Sequence, residues 1–135
     1  MRRLKLPGRD VSKPRLDEQD VKLIQQVGID GVREQARRMV EKKLRKKPGN
    51  DGEQTPIGGN PVYKAMHACN VASREEMHLA HGIPDDKELT DNQVESISSL
   101  LSRWVAREYN FFMEEREQQQ SNLGDFSENQ ERQSI

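Results

Sequence analysis

Residues 90–113 read TDNQVESISSLLSRWVAREYNFFM. Thr90 and Gln93 stand in capping-box positions, where the hydroxyl accepts from the N–H three residues on and the amide reaches back. Beyond them Val94, Ile97, Leu101, Trp104, Val105 and Phe112 recur at the spacing of one helix face. The stretch contains neither Gly nor Pro. The 23 residues from Asp91 to Met113 make a helix about 35 Å long at roughly 1.5 Å per residue. That is a sufficient spine for a small all-α domain.

Upstream, Ser73-Arg74-Glu75-Glu76 forms a second capping box, and Asn60-Pro61 is an N-cap followed by a first-turn proline. Val62, Ala65, Met66 and Cys69 make an apolar face between them. A third helix is therefore expected to start at Pro61, break near Ser73 and end at Gly82, with Pro84 reinforcing the stop. Residues 48–60 form a long loop rich in Gly and Pro, above the usual length for a small domain. Closer to the N-terminus, Asp17 caps a first helix, and Leu16 and Val21 occupy the positions of a hydrophobic staple. Leu23, Ile24 and Val27 continue its face until Gly28 supplies a left-handed stop. Asp30 caps a second helix that runs to about Lys47 on a stripe of Val32, Ala36, Met39, Val40 and Leu44. Two helices joined by so short a turn predict a helical hairpin.

The expected fold is thus all-α, with four main helices: a helical hairpin, a broken third helix and a long C-terminal helix. The domain is expected over residues 16–113. Residues 1–15, with two prolines and six basic side chains, read as a basic flexible arm. Residues 114–135 read as a polar acidic tail, largely disordered. The core is expected from Leu23, Ile24, Val27, Val32, Met39, Val40, Val62, Met66, Cys69, Leu79, Val94, Ile97, Leu101, Trp104 and Val105. No period-2 strand pattern and no internal repeat occurs.

The chain has 135 residues, 32% hydrophobic and 33% charged, against typical values near 45–50% and 25%. No apolar run reaches the roughly 20 residues that span a bilayer. The basic start, Met1-Arg2-Arg3, lacks the apolar segment of a secretory signal. The single cysteine, Cys69, precludes an intramolecular disulfide and fits a reducing compartment, so a cytoplasmic protein without a membrane partner is expected. The net charge of −1 hides an asymmetry. Residues 1–50 hold 15 Lys/Arg against 7 Asp/Glu, residues 51–113 hold 5 against 10, and residues 114–135 hold 2 against 6. Local patches of this kind matter more than the total, because screening acts within about 8 Å in physiological salt.

The densest positive charge lies in residues 31–47, with eight basic and two acidic side chains. Helical spacing places Arg38, Lys42, Arg45 and Lys46 on one face, where they are expected to contact the phosphates of a polyanion without reading its sequence. Aromatic side chains for stacking unpaired bases are missing from this half, which argues against single-strand recognition. Gly58, Gly59 and Asn60 deliver backbone N–H groups at a helix start, a weak anion-binding candidate against the simpler reading of a capped turn. All three histidines, His67, His78 and His81, lie within 15 residues. With Glu75 three positions before His78 they make a candidate zinc or iron set, although the His-Glu-x-x-His pattern and any Cys-x-x-Cys are absent. No catalytic residue is assigned. Cys69 reads as a small buried hydrophobe. Trp104, Phe111 and Phe112 are large anchors for so polar a chain, which makes a homodimer through the last helix a candidate assembly.

One resemblance runs through these features. Val27-Gly28-Ile29-Asp30, Asn50-Asp51-Gly52, Gln54-Thr55-Pro56, Pro61-Val62, His67-Ala68, Arg74, His81-Gly82-Ile83, Glu88-Leu89-Thr90 and Arg103-Trp104 together resemble a family of small, mostly bacterial proteins catalogued as domain of unknown function 4186. The likeness covers roughly residues 18–109 and leaves the basic arm and the Gln-rich tail outside. In the family pattern cysteines stand where this chain has Ala72, Ser73 and Glu76. With histidines matching His67 and His81 they would make a metal or redox cluster. This chain lacks all three thiols, so the resemblance implies a shared fold and not that chemistry. The expected function is a non-enzymatic binding protein whose basic N-terminal half contacts nucleic acid or an acidic protein surface. A protein–protein module acting through the last helix and a histidine metalloenzyme are the alternatives.

Overall fold

Asp17 starts the first helix through a reciprocal cap. Its carboxylate accepts from the Asp20 N–H at 3.0 Å, and the Asp20 carboxylate accepts from the Asp17 N–H at 2.9 Å. The computed structural model describes residues 3–10 and 12–134, with side chains described through residue 120. Among the described residues the architecture is all-α. Its elements are α1 (Glu18–Lys43), α2 (Pro61–Ala68), α3 (Arg74–His81) and α4 (Asp91–Ser134). No helix among them is long and apolar enough to cross a membrane.

The break expected at Gly28 is present, with φ 73° and ψ 171° inside α1. It redirects the chain without reversing it. Contacts between α1 and α4 pair Glu18 with Arg116, Gln25 with Tyr109 and Arg33 with Glu95, and just past the end of α1 Arg45 meets Asp91. Rising numbers on α1 meet falling numbers on α4, so α1 lies antiparallel to α4 along its whole length. In place of the expected helical hairpin, the two arms form one kinked helix, α1, that runs along α4. α1 also stops at Lys43, with Leu44 as its C-cap, short of the expected Lys47. Pro48 disfavours helical geometry in the residue before it.

The third helix breaks as expected. Asn60 caps α2, its side chain accepting from the Val62 N–H at 2.7 Å. Ser73 caps α3, its hydroxyl accepting from the Glu76 N–H at 3.0 Å. Between the two lies Asn70 at φ 59°, a left-handed conformation that asparagine tolerates better than most side chains. Gly82 ends α3 at φ 69°. α4 runs on to Ser134, past the expected end at Met113, because Glu, Gln and Arg in residues 114–120 are good helix formers and nothing there interrupts the hydrogen-bond ladder.

The core is formed by α1, α2, α4 and the α2–α3 break, with Val32, Val40, Leu44, Val62, Met66, Met77, Ile97, Leu101 and Val105 fully enclosed. Val27 and Leu79, expected inside, are 37% and 76% exposed. Val27 sits at the Gly28 bend. Leu79 lies two residues from the buried Met77 and so points to the opposite face of α3. Val71, Ala72, Ile83 and Leu89 are buried instead, from segments outside the regular helix stripes. The arm is not free either. Leu4 and Leu6 pack against the core, Arg103 and Arg107 on α4 donate to the Leu4 and Pro7 carbonyls, and Arg9 grips the buried Glu108 at 3.0 Å. An arm with two apolar side chains and these partners gains more by docking than it loses in chain entropy.

Arg74 is wholly buried. Its guanidinium donates to the carbonyls of Leu44 (3.2 Å), Arg45 (3.0 Å), Pro84 (2.6 Å) and Lys87 (2.8 Å). Desolvation lowers its pKa, opposed by the charges of Asp51, Asp85 and Asp86. Replacing it removes the donors to four buried or partly buried carbonyls, of which only Arg45's keeps another loop partner among the described residues, the Leu89 N–H at 2.9 Å, and each acceptor left unsatisfied costs about 1–3 kcal/mol. Arg74→Met is expected to destabilise by at least ~3 kcal/mol, and Arg74→Lys to recover little, since an ammonium cannot span the four carbonyls. Urea unfolding followed by circular dichroism measures this. A loss below about 1 kcal/mol for Arg74→Met contradicts the structural role.

Candidate functional site

Helical spacing places Gln35, Arg38, Met39, Lys42 and Lys43 in one stripe of α1. Tyr63, in the first turn of α2, stands opposite. Together they line an open groove of about 280 Å³. The groove depends on the long loop for its shape. Lys43 Nζ donates to the Gln54 carbonyl at 2.9 Å and lies 5.4 Å from the centroid of the Tyr63 ring. Gln54 is in turn tied to Asp51, whose carboxylate accepts from the Gln54 amide at 2.7 Å and from the backbone N–H groups of Arg74 and Glu75 at 2.9 and 3.1 Å. Burial pushes the Asp51 carboxyl up, but the Arg74 N–H, the Gln54 amide, the Glu75 N–H and the Lys47 charge outweigh it. The group is held below the usual aspartate value.

The rest of the expected basic face is matched by carboxylates of the same chain. Arg45 reaches Glu41 and Asp91, each at 2.8 Å, and both partners raise its pKa, Asp91 more than Glu41. Lys46 pairs with Glu88 at 3.2 Å and Lys47 with Asp85 at 3.0 Å. Arg37 takes Glu34 at 2.6 Å, leaving Arg38 a contact of 3.8 Å with the same carboxylate. Lys42 makes no ion pair among the described residues. Arg45 and Lys46 therefore stand apart from the groove, joining the end of α1 to the approach and start of α4. Arg38 and Lys42 remain outward on its wall.

The three histidines do not converge. His67 Nε2 lies 3.0 Å from the Thr55 and Pro56 carbonyls, His78 Nδ1 is 3.1 Å from the Ile83 carbonyl, and His81 Nε2 is 2.7 Å from the Cys69 carbonyl. A carbonyl only accepts, so each of these nitrogens carries its proton and is closed to a metal. Among the described residues no group of three or more His, Cys, Asp or Glu side chains is placed to hold a metal ion. The expected set of His67, His78, His81 and Glu75 is not assembled, because each ring fastens a different loop segment. Gly58 and Gly59 lead into the Asn60 cap, whose side chain already takes the Val62 N–H. Of the large aromatics expected to serve a second copy, Trp104 is buried in the core, while Phe111 and Phe112 are half-buried, each with an arginine over its ring. Trp104 is 3% exposed, Phe111 lies under the Arg9 guanidinium at 4.0 Å, and Phe112 lies under Arg116 at 4.8 Å.

Three residues that matter here escaped the sequence reading. Arg74 looks like an ordinary first-turn helix residue, and Asp51 like a turn residue. Tyr63 lies outside the basic half, and only the packing of α2 on α1 brings it to the cations.

The fold defines a small all-α protein of kinked and broken helices gathered on one long helix. The family model described as domain of unknown function (DUF4186) matches residues 5–106, and the chain belongs to that family. The match begins within the N-terminal arm, earlier than the likeness legible by eye, in keeping with an arm packed against α4. No solved structure matches the chain.

Two solution measurements follow from the titrating groups. Burial pushes the Cys69 thiol up to about 12, so the folded protein at pH 8 is expected to resist iodoacetamide and to react once unfolded. Rapid labelling of the native state contradicts that placement. The Asp51 carboxyl is lowered in the folded state, so its contribution is present above about pH 4 and fades as pH falls through the folded value. The stability gap between wild type and Asp51→Asn is expected to narrow from pH 7 to pH 3 in urea titrations.

Proposed function

We propose that this protein is a non-enzymatic binding protein that holds a polyanion, nucleic acid first among them, in the groove between α1 and α2. The observation carrying this reading is the outward pair Arg38 and Lys42 beside the fixed charge of Lys43. Arg38 keeps 68% of its side chain exposed and only the long contact with Glu34. Exposed ion pairs are worth about 0–1 kcal/mol, so a phosphate competes readily for Arg38, while Lys42 makes no ion pair among the described residues. The contact surface is narrower than the four-residue face expected from sequence, since Arg45 and Lys46 are held by Asp91, Glu41 and Glu88. Two or three phosphate contacts imply weak binding with a modest salt slope, each contact contributing about −0.7 to −0.9 to the logarithmic dependence. The cysteine fits a cytoplasmic setting, and an acidic protein surface meets the same three cations.

The double variant Arg38→Glu/Lys42→Glu is expected to lower affinity for fluorescein-labelled nucleic acid at least about tenfold at low salt, as two phosphate contacts are reversed in sign. Fluorescence anisotropy reads this directly. Unchanged binding removes the groove from the proposal. Binding of an acidic protein with no binding of nucleic acid transfers it to that partner.

A further inference from the structure

The groove has a component that phosphate binding alone does not require. Tyr63 and Met39, both only partly buried, supply apolar surface in its wall. A simple anion site needs cations and N–H donors. It has no use for an aromatic ring and a thioether.

We infer that the groove takes one nucleotide unit of a single-stranded nucleic acid, with the base against Tyr63 and Met39 and the backbone phosphates on Arg38 and Lys42. This assignment rests on the polyanion reading and sharpens it. A base offers a flat apolar body to an aromatic or thioether surface. The volume near 280 Å³ falls just below the range for ligand pockets, about 300–1,000 Å³. One nucleotide unit fits, and a double helix does not. In a duplex the base faces are stacked on one another, so only an unpaired base can enter. Lys43, fixed by Gln54 and the Tyr63 ring, contributes charge without having to be ordered on binding. Glu34 is the acidic side chain nearest Arg38, and it remains occupied by Arg37 when Arg38 turns to a phosphate.

The test compares four probes at equal salt: a labelled single-stranded oligonucleotide, its duplex, a free mononucleotide and inorganic polyphosphate. The wild type is expected to bind the single strand at least about fivefold more tightly than the duplex or polyphosphate, with the mononucleotide weaker still. Tyr63→Leu, which keeps apolar volume in the wall, is expected to weaken the single strand about tenfold, a typical loss for one stacked base, and to leave the duplex and polyphosphate unchanged. Tyr63→Phe should bind as the wild type does, and circular dichroism checks that each variant is folded. Equal binding of all the polymers with no effect of Tyr63 overturns the base-binding inference and leaves the polyanion reading standing. A mononucleotide that binds as tightly as the oligonucleotide overturns the strand assignment. Failure of every probe at low salt removes both.

Discussion

A guanidinium taken out of water must find hydrogen-bond acceptors for its donors, and a buried ion ordinarily costs several kcal/mol unless its surroundings are arranged for it. Arg74 meets most of that demand with four main-chain carbonyls on its two terminal nitrogens, while its Nε–H finds no partner among the described residues. Two of them, Leu44 and Arg45, lie at the end of α1, where helix carbonyls lack internal partners and the helix dipole is negative. The other two, Pro84 and Lys87, belong to the connection between α3 and α4. One side chain therefore closes the end of the first helix and sets the approach to the last. Its own backbone N–H is held by Asp51, which also holds Gln54, and Gln54 holds Lys43. The groove is thus connected to the interior through a run of hydrogen bonds. The link passes through the loop between residues 48 and 60, a segment of irregular backbone.

The helices were legible because their signals are local. Asp17, Asn60, Ser73 and Thr90 each cap the helix their sequence context announces, and Gly82 stops α3 in the expected left-handed conformation. Their mutual arrangement was not legible. Whether Gly28 folds α1 back or merely bends it depends on which surface is available to cover each arm, and that surface is α4, far away in sequence. The arm was misread for the same reason. Prolines and basic residues look unstructured until Glu108 and the end of the Trp104 stripe are placed beside them.

The basic half was legible as composition and illegible as a field. The count of cations in residues 31–47 was sound, but the carboxylates that answer them come from Asp85, Glu88, Asp91 and Glu95, some 40 to 60 positions later. Conversely, the basic half holds no aromatic of its own and Tyr63 lies in another segment, and Met39 was counted toward the core although it is only partly buried. Their shared wall with Arg38 and Lys42 arises from tertiary packing alone. The histidines show the opposite trap. Clustering in sequence suggested ligands, whereas each ring is committed to the main chain.

The pairing of α1 with α4 has a consequence for how the chain is made. Glu18 meets Arg116, and Arg9 meets Glu108, across 98 and 99 positions of sequence. At a synthesis rate of about 5–20 residues per second, the first helix leaves the ribosome roughly five to twenty seconds before its partner exists. Throughout that interval Val21, Ile24, Val32 and Val40 lack the surface that covers them in the finished protein. Contacts of such long range also slow folding once the chain is complete. The polar, heavily charged outer face of α1 then keeps the waiting segment in solution until the last helix arrives to receive it.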